Sequence, residues 1–98
     1  MAKQTPKYPN EIKSRRELLG FGSSDVARLL GHSRSWLLSD FEKGRRLPTL
    51  SEAFKLSAVL REPVEFLFPQ LYEKLRIHIR HQETKHPFRR RNPLQTLN

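Results

Sequence analysis

Hydroxyl and cationic side chains crowd one stretch of this 98-residue chain, Ser23 to Thr49, which runs SSDVARLLGHSRSWLLSDFEKGRRLPT. Ser23, Ser24, Arg34, Ser35, Ser39, Lys43, Arg45 and Arg46 can donate to phosphate oxygens, and the longer ones to guanine. That is binding chemistry. For catalysis the chain offers no glycine-rich phosphate loop, no nucleophile motif and no paired carboxylates, so enzymatic activity is not expected. His78 and His81 stand three apart with His86 beyond. Two imidazoles at that spacing can share a metal, yet no cysteine or well-placed carboxylate completes a site. A solvated face is the simpler reading, and no metal or cofactor is expected.

The hydrophobic spacing supplies the elements that must hold these donors. Val26, Ala27 and Leu30 lie on one face of a short amphipathic helix, and Gly31 stops it. Ser33 or Ser35 can cap a second helix whose Leu38 and Phe41 point inward, and Gly44 and Pro48 end it. Helix, glycine-containing turn, helix is a unit that many proteins lay in the DNA major groove. Before it, Glu11 to Leu19 reads as a first helix with Ile12, Leu18 and Leu19 as its apolar contribution. After it, Leu50 to Leu60 forms a fourth, with Ala53, Leu56, Ser57 and Leu60 inward, Phe54 on the flank, and Thr49 or Ser51 as cap. Pro63 opens a fifth through Val64, Leu67 and Phe68.

Residues from about Gly20 to Phe68 resemble the lambda-repressor-like, Cro-type (XRE family) helix-turn-helix domains of bacteria and phages. The resemblance lies in Val26-Ala27-Arg28-Leu29-Leu30-Gly31, Ser33-Arg34-Ser35 and Phe41-Glu42-Lys43-Gly44-Arg45-Arg46-Leu47-Pro48, then Leu50-Ser51-Glu52-Ala53 and Pro63-Val64-Glu65-Phe66-Leu67-Phe68. It implies an all-α fold, a compact five-helix domain over 11–68, to which this chain adds a C-terminal helix over 69–84. Flexible basic tails over 1–10 and 85–98 complete the expected organisation. Two positions depart from the family pattern. Arg15 stands where a core leucine is usual, which points to a short or rotated first helix with Arg15 reaching solvent. Arg61-Glu62 replaces a glycine-containing turn.

The resemblance also makes the helix over about 34–43 a recognition helix that meets base edges. With Leu38 and Phe41 inward, Ser35, Trp36, Ser39, Asp40 and Lys43 face outward, and Arg34 and Leu37 sit near the boundary. Trp36, Leu37 and Asp40 are unusual there. An acidic group facing phosphates is repulsive unless it accepts from a cytosine amine. Indole and leucine can meet thymine methyls, hold a partner protein, or simply tuck into the domain. Ser23 and Ser24 stand where the family often places a glutamine on phosphate, and Ser23 can equally be a plain helix cap. Arg45 and Arg46 are the best phosphate clamps, unless they are ordinary charges in an exposed turn.

Net charge supports an anionic partner but is unevenly placed. Residues 1–20 hold five basic and two acidic side chains, residues 21–72 seven and six, and residues 73–98 seven and two, summing to +9. The tails therefore either raise affinity for phosphate-rich partners or merely solubilise the chain. The absence of cysteine fits a reducing cytoplasm, no apolar run approaches membrane-spanning length, and MAKQTPKYPN is no secretory signal. Leu71, Leu75 and either His78 or Ile79 form a stripe on the last helix, with Tyr72 and Arg76 beside it, that can pack back on the core or pair with a second copy. Leu71, Tyr72, Leu75 and Ile79 are the dimer candidates.

Two functions from different classes follow. The first is a sequence-specific DNA-binding regulator, dimeric on an inverted repeat, with double-stranded DNA as partner and no membrane. The second is a protein-interaction adaptor or antitoxin-like module that holds a partner through Trp36 and Leu37 or the 71–79 stripe. Binding of nucleic acid by the tails alone is a third option.

Overall fold

The computed structural model describes residues 5–33 and 35–86, and these are all-helical. Six helices follow in order: α1 (Ile12–Leu18), α2 (Ser23–Leu29), α3 (Trp36–Glu42), α4 (Leu50–Leu60), α5 (Val64–Leu67) and α6 (Pro69–Lys85). The core is one cluster drawn from five of them and their ends. It holds Ile12, Val26, Leu30, Leu38, Phe41, Leu56, Leu60, Leu67 and Phe68, with Leu19, Phe21, Leu37, Val59, Val64 and Leu71 packed partly buried against it. Every inward residue expected for α2 and α3 is buried. Burial of such aliphatic and aromatic groups contributes roughly 1.5–3 kcal/mol each. That burial, rather than helix propensity, makes elements as short as seven residues persist.

Two expectations for α1 need correction. Leu18 does not contribute to the core; it is 73% exposed. A helix advances about 100° per residue, so Leu19 returns to the line of Ile12 while Leu18 falls well off it. Arg15 does not reach for solvent either. Its Nε donates to the Leu60 carbonyl at 3.0 Å and its Nη2 to the Arg61 carbonyl at 3.2 Å, with Glu62 also at 3.2 Å from Nε. The last carbonyls of a helix lack intrahelical partners. Arg15 supplies them, so the charge that looks out of place in α1 is the C-terminal clasp of α4. The chain leaves α4 through Arg61, which takes a left-handed conformation at φ 56° where glycine would be unstrained.

At its other end α4 starts with a reciprocal cap. The Glu52 amide donates to Thr49 Oγ1 at 3.2 Å and the Thr49 amide donates to Glu52 Oε1 at 3.0 Å. The Thr49 amide, with its hydroxyl and the nearby His32 adding, holds the Glu52 carboxyl below the usual carboxylate range, against an opposing effect of burial. A folded-state value below the unfolded one stabilises at pH above the unfolded carboxylate range. That stabilisation is lost as pH falls through the folded value. Glu52→Gln is thus expected to be less stable than the wild type at neutral pH, with the gap closing on acidification below about pH 4. Urea unfolding across that range tests it; a gap independent of pH would assign Glu52 a role in shape, not charge.

α6 runs one residue beyond the expected 69–84 and has no buried residue. Among the described residues no helix is long and apolar enough to cross a membrane. From residue 87 onward the expected basic tail lies outside the described residues, as do residues 1–4 of the expected N-terminal arm.

Candidate nucleic-acid interface

α2 ends in a reversal that points α3 across it. Leu30 caps the helix after Leu29, Gly31 follows at φ 85°, and the amides of Gly31 and His32 turn back to the carbonyls of Arg28 and Ala27. Two bonds nested in this way, around a left-handed residue, are a common way to end a helix within one turn. His32 then fastens the turn. Its Nε2 lies 3.4 Å from Glu52 Oε2 and its ring meets Phe41 edge-on at 6.4 Å. The α2–α3 junction is therefore held from below by α4 and by the core.

α3 buries Leu38 and Phe41 completely and rests Leu37 against the same core. Leu37 is thereby partly buried, leaving only part of its side chain beside the exposed Trp36. A third constraint was not visible in the sequence pattern. Arg16 of α1 grips Glu42 with two bonds, Nε to Oε2 at 2.7 Å and Nη2 to Oε1 at 3.2 Å, while its Nη1 donates to the Phe21 carbonyl at 3.0 Å. The two side chains are only 12% and 9% exposed. A near-dry, bidentate pair of this kind fixes direction as well as distance.

Past Glu42 the chain folds back over the outer face of α3. Gly44 sits at φ 71°, its amide donates to the Phe41 carbonyl, and those of Arg45 and Arg46 reach the Asp40 carbonyl at 2.9 and 3.4 Å. The two arginines thus stand beside the outward residues of the helix rather than trailing away. Arg46 lies over the Trp36 ring, 5.5 Å from its centroid, and Arg45 Nη1 is 3.7 Å from Asp40 Oδ1. The reading of Trp36 as tucked into the domain is corrected by this: the indole is 55% exposed and serves as a platform for a guanidinium. Asp40 is likewise no isolated negative charge, because Arg45 stands beside it.

Other expected residues are placed more simply. Lys43 and Ser35 are exposed and Ser39 is half-buried. Ser35 occupies the position before α3, but its hydroxyl makes no capping bond. Ser23 and Ser24 are exposed in the first turn of α2; the residue that precedes this helix is Gly22, not Ser23, and its amide is taken by the Asp25 carboxylate at 3.0 Å. Arg34 lies outside the described residues. The contacts bring Trp36, Asp40, Arg45 and Arg46 together, whereas the two serines of α2 stand apart with no hydrogen bond from their side chains among the described residues.

The stretch expected as a loose arm is tied down where it nears α3. The Tyr8 amide donates to the Gly44 carbonyl at 3.0 Å, and Asn10 Nδ2 donates to the Phe41 carbonyl at 2.8 Å. On α6, Leu71 is half-buried while Tyr72, Leu75 and Ile79 are about half exposed. Packing back on the core therefore accounts for Leu71 only. Among the described residues no group of three histidine, cysteine or acidic side chains could hold a metal ion.

No curated protein matches the chain. A model of the helix-turn-helix family matches residues 12–67, more than half of it, from the start of α1 to the end of α5. The matched span contains the α2–Gly31–α3 unit and the packing that orients it, and the chain belongs to the helix-turn-helix family of DNA-binding domains, of the lambda-repressor and Cro type.

Proposed function

We propose that the protein is a sequence-specific DNA-binding transcriptional regulator, with α3 in the major groove. The observation that carries this reading is the cluster on the outer face of α3, where Arg45 and Arg46 are folded back beside Asp40 and Trp36. In that setting Ser35, Ser39 and Lys43 meet base edges or flanking phosphates, and the two arginines clamp the backbone. The exposed amides at the start of α2, with Ser23 and Ser24, add a further contact to phosphate. Asp40 holds Arg45 in place, which relieves the repulsion that a lone carboxylate would meet. Two copies joined through Tyr72, Leu75 and Ile79 would read an inverted repeat with half-sites about one helical turn apart.

Selection of bound duplexes from a random pool at near-physiological salt tests this reading, since charge-driven binding is weak there. The expected result is a motif with two-fold symmetry. Arg45→Ala combined with Arg46→Ala is expected to weaken binding to every duplex. It should also lower the slope of log affinity against log salt by about 1.8 for each bound copy, since each phosphate no longer neutralised removes about 0.9. An unchanged slope removes both arginines from the interface.

A second reading has one observation in its favour. Leu47, Leu50, Val64, Phe68, Leu71 and Leu75 line an apolar groove of ≈ 480 Å³ between the α3–α4 loop and α6, a shape suited to a protein partner. No enrichment of any duplex, together with partner capture abolished in Leu75→Ser on the wall of this groove, would favour the adaptor over the regulator.

A further inference from the structure

We infer that the cleft between the N-terminal segment and the end of α3 binds a phosphate of the DNA backbone, with Lys7, Lys43 and Arg45 as its cationic walls. This deepens the DNA-binding reading and rests on it. The cleft measures ≈ 450 Å³ and is lined by Thr5, Pro6, Lys7, Lys43, Gly44 and Arg45. Its lining residues include three cations and one hydroxyl and no carboxylate. The nearest acids are already engaged, Glu42 inward with Arg16 and Asp40 beside Arg45. Three like charges around one space repel one another, and an anion placed among them relieves that repulsion.

The cleft is built, not a chance meeting of surface lysines. Its far wall is fastened by the Tyr8 amide on the Gly44 carbonyl at 3.0 Å, and by Asn10 Nδ2 on the carbonyls of Tyr8 and Phe41 at 2.9 and 2.8 Å. Its floor requires the glycine. A Cβ on Gly44 would fall 2.7 Å from Pro6 Cβ and 2.8 Å from the Tyr8 carbonyl oxygen, so any other residue would push the segment away. Lys7 Nζ lies 5.6 Å from the centroid of the Tyr8 ring, which limits the space the ammonium explores. Two of the three cations follow directly from α3. A phosphate held here would therefore sit in fixed register with the helix that reads the bases, and Lys7 would join the interface from a segment distant in sequence.

The test uses the full chain and a duplex that the wild-type protein binds, with affinity followed by fluorescence anisotropy from about 50 to 200 mM salt. Lys7→Ala is expected to lower the salt slope by about 0.9 for each bound copy of the chain, so that the drop in affinity across this range shrinks about 3.5-fold per copy. Cognate and scrambled duplexes should lose affinity alike. Lys7→Arg should keep the wild-type slope, and Lys55→Ala, an exposed charge on α4, should leave it unchanged. Thermal unfolding of Lys7→Ala should match the wild type, which separates the phosphate contact from a role in folding. A Lys7→Ala slope equal to that of the wild type or of Lys55→Ala, while Arg46→Ala, outside the cleft, lowers it, overturns the site and leaves the DNA-binding reading intact. A wild-type chain that binds no duplex in this range removes that reading, and the site with it.

Discussion

Phe41→Ala is expected to cost about 3–5 kcal/mol, the range for truncating a buried aromatic side chain. A domain of this size has about 5–15 kcal/mol in total. Few residues carry so much of this structure. The ring is fully buried at the junction of α1, α3 and α4, His32 packs against its edge, and its carbonyl receives Asn10. Truncation leaves a cavity where α3 meets the core, and the neighbours cannot close it without shifting that helix. Urea unfolding followed by circular dichroism would show the midpoint collapse. Trp36→Ala on the exposed side of the same helix should stay within about 0.5 kcal/mol of wild type. A loss below about 1 kcal/mol for Phe41→Ala would mean that the helix is held by something other than this side chain.

Glu42→Ala ranks second, at about 2–4 kcal/mol. Removing one partner of a buried pair typically costs about 3–5 kcal/mol because the other charge is left desolvated. The figure here is lowered because both side chains keep some contact with water. Arg16 would retain only the Phe21 carbonyl. Since the pair is largely shielded, the loss should persist at high salt, unlike that of an exposed ion pair. The double variant Arg16→Met with Glu42→Leu should recover much of the stability, since apolar groups of similar volume can replace such a pair. Equilibrium unfolding of the single and double variants measures the coupling directly. A single variant within about 0.5 kcal/mol of wild type would show that the pair orients α3 without stabilising it.

The parts of this fold that were legible in the chain are those governed by local periodicity. Val26, Ala27 and Leu30, then Leu38 and Phe41, then Ala53, Leu56 and Leu60 announce their faces because a helix repeats burial every three or four residues. Gly31 and Gly44 announce the ends, and Thr49 with Glu52 announces a start. Other features depend on partners far along the chain. Arg15 looks like a surface charge until α4 ends beside it, and Arg16 and Glu42 look like two solvated side chains until α1 crosses α3. Charged residues carry no periodic signal, since the same composition serves an exposed face and an internal clasp. Tyr8 and Asn10 belong to the same class: a proline-containing segment reads as loose when its acceptors, the Gly44 and Phe41 carbonyls, are created only by the ending of another helix.

The outer face of α3 illustrates the same limit at the candidate site. Judged singly against DNA, Trp36 and Asp40 are awkward choices. Once the chain reverses at Gly44, each has an arginine for a neighbour. Their oddity was a property of the missing neighbours rather than of the residues. In the proposed DNA-binding reading, Trp36 and Asp40 would act mainly by positioning cations that sequence order places after them.

α6 gives this molecule two tiers of stability. Its first turn is docked through Leu71, but none of its seventeen residues is fully buried. An isolated helix of that length is marginal in water. The distal half of α6 therefore opens and closes without the domain below it unfolding, as an independent low-stability unit. Whatever covers Tyr72, Leu75 and Ile79 lengthens the lifetime of the helix and leaves the matched domain as it was. Substitutions confined to α6 can thus change how firmly that helix is held while the surface formed by α2, α3 and the Arg45–Arg46 turn keeps its geometry.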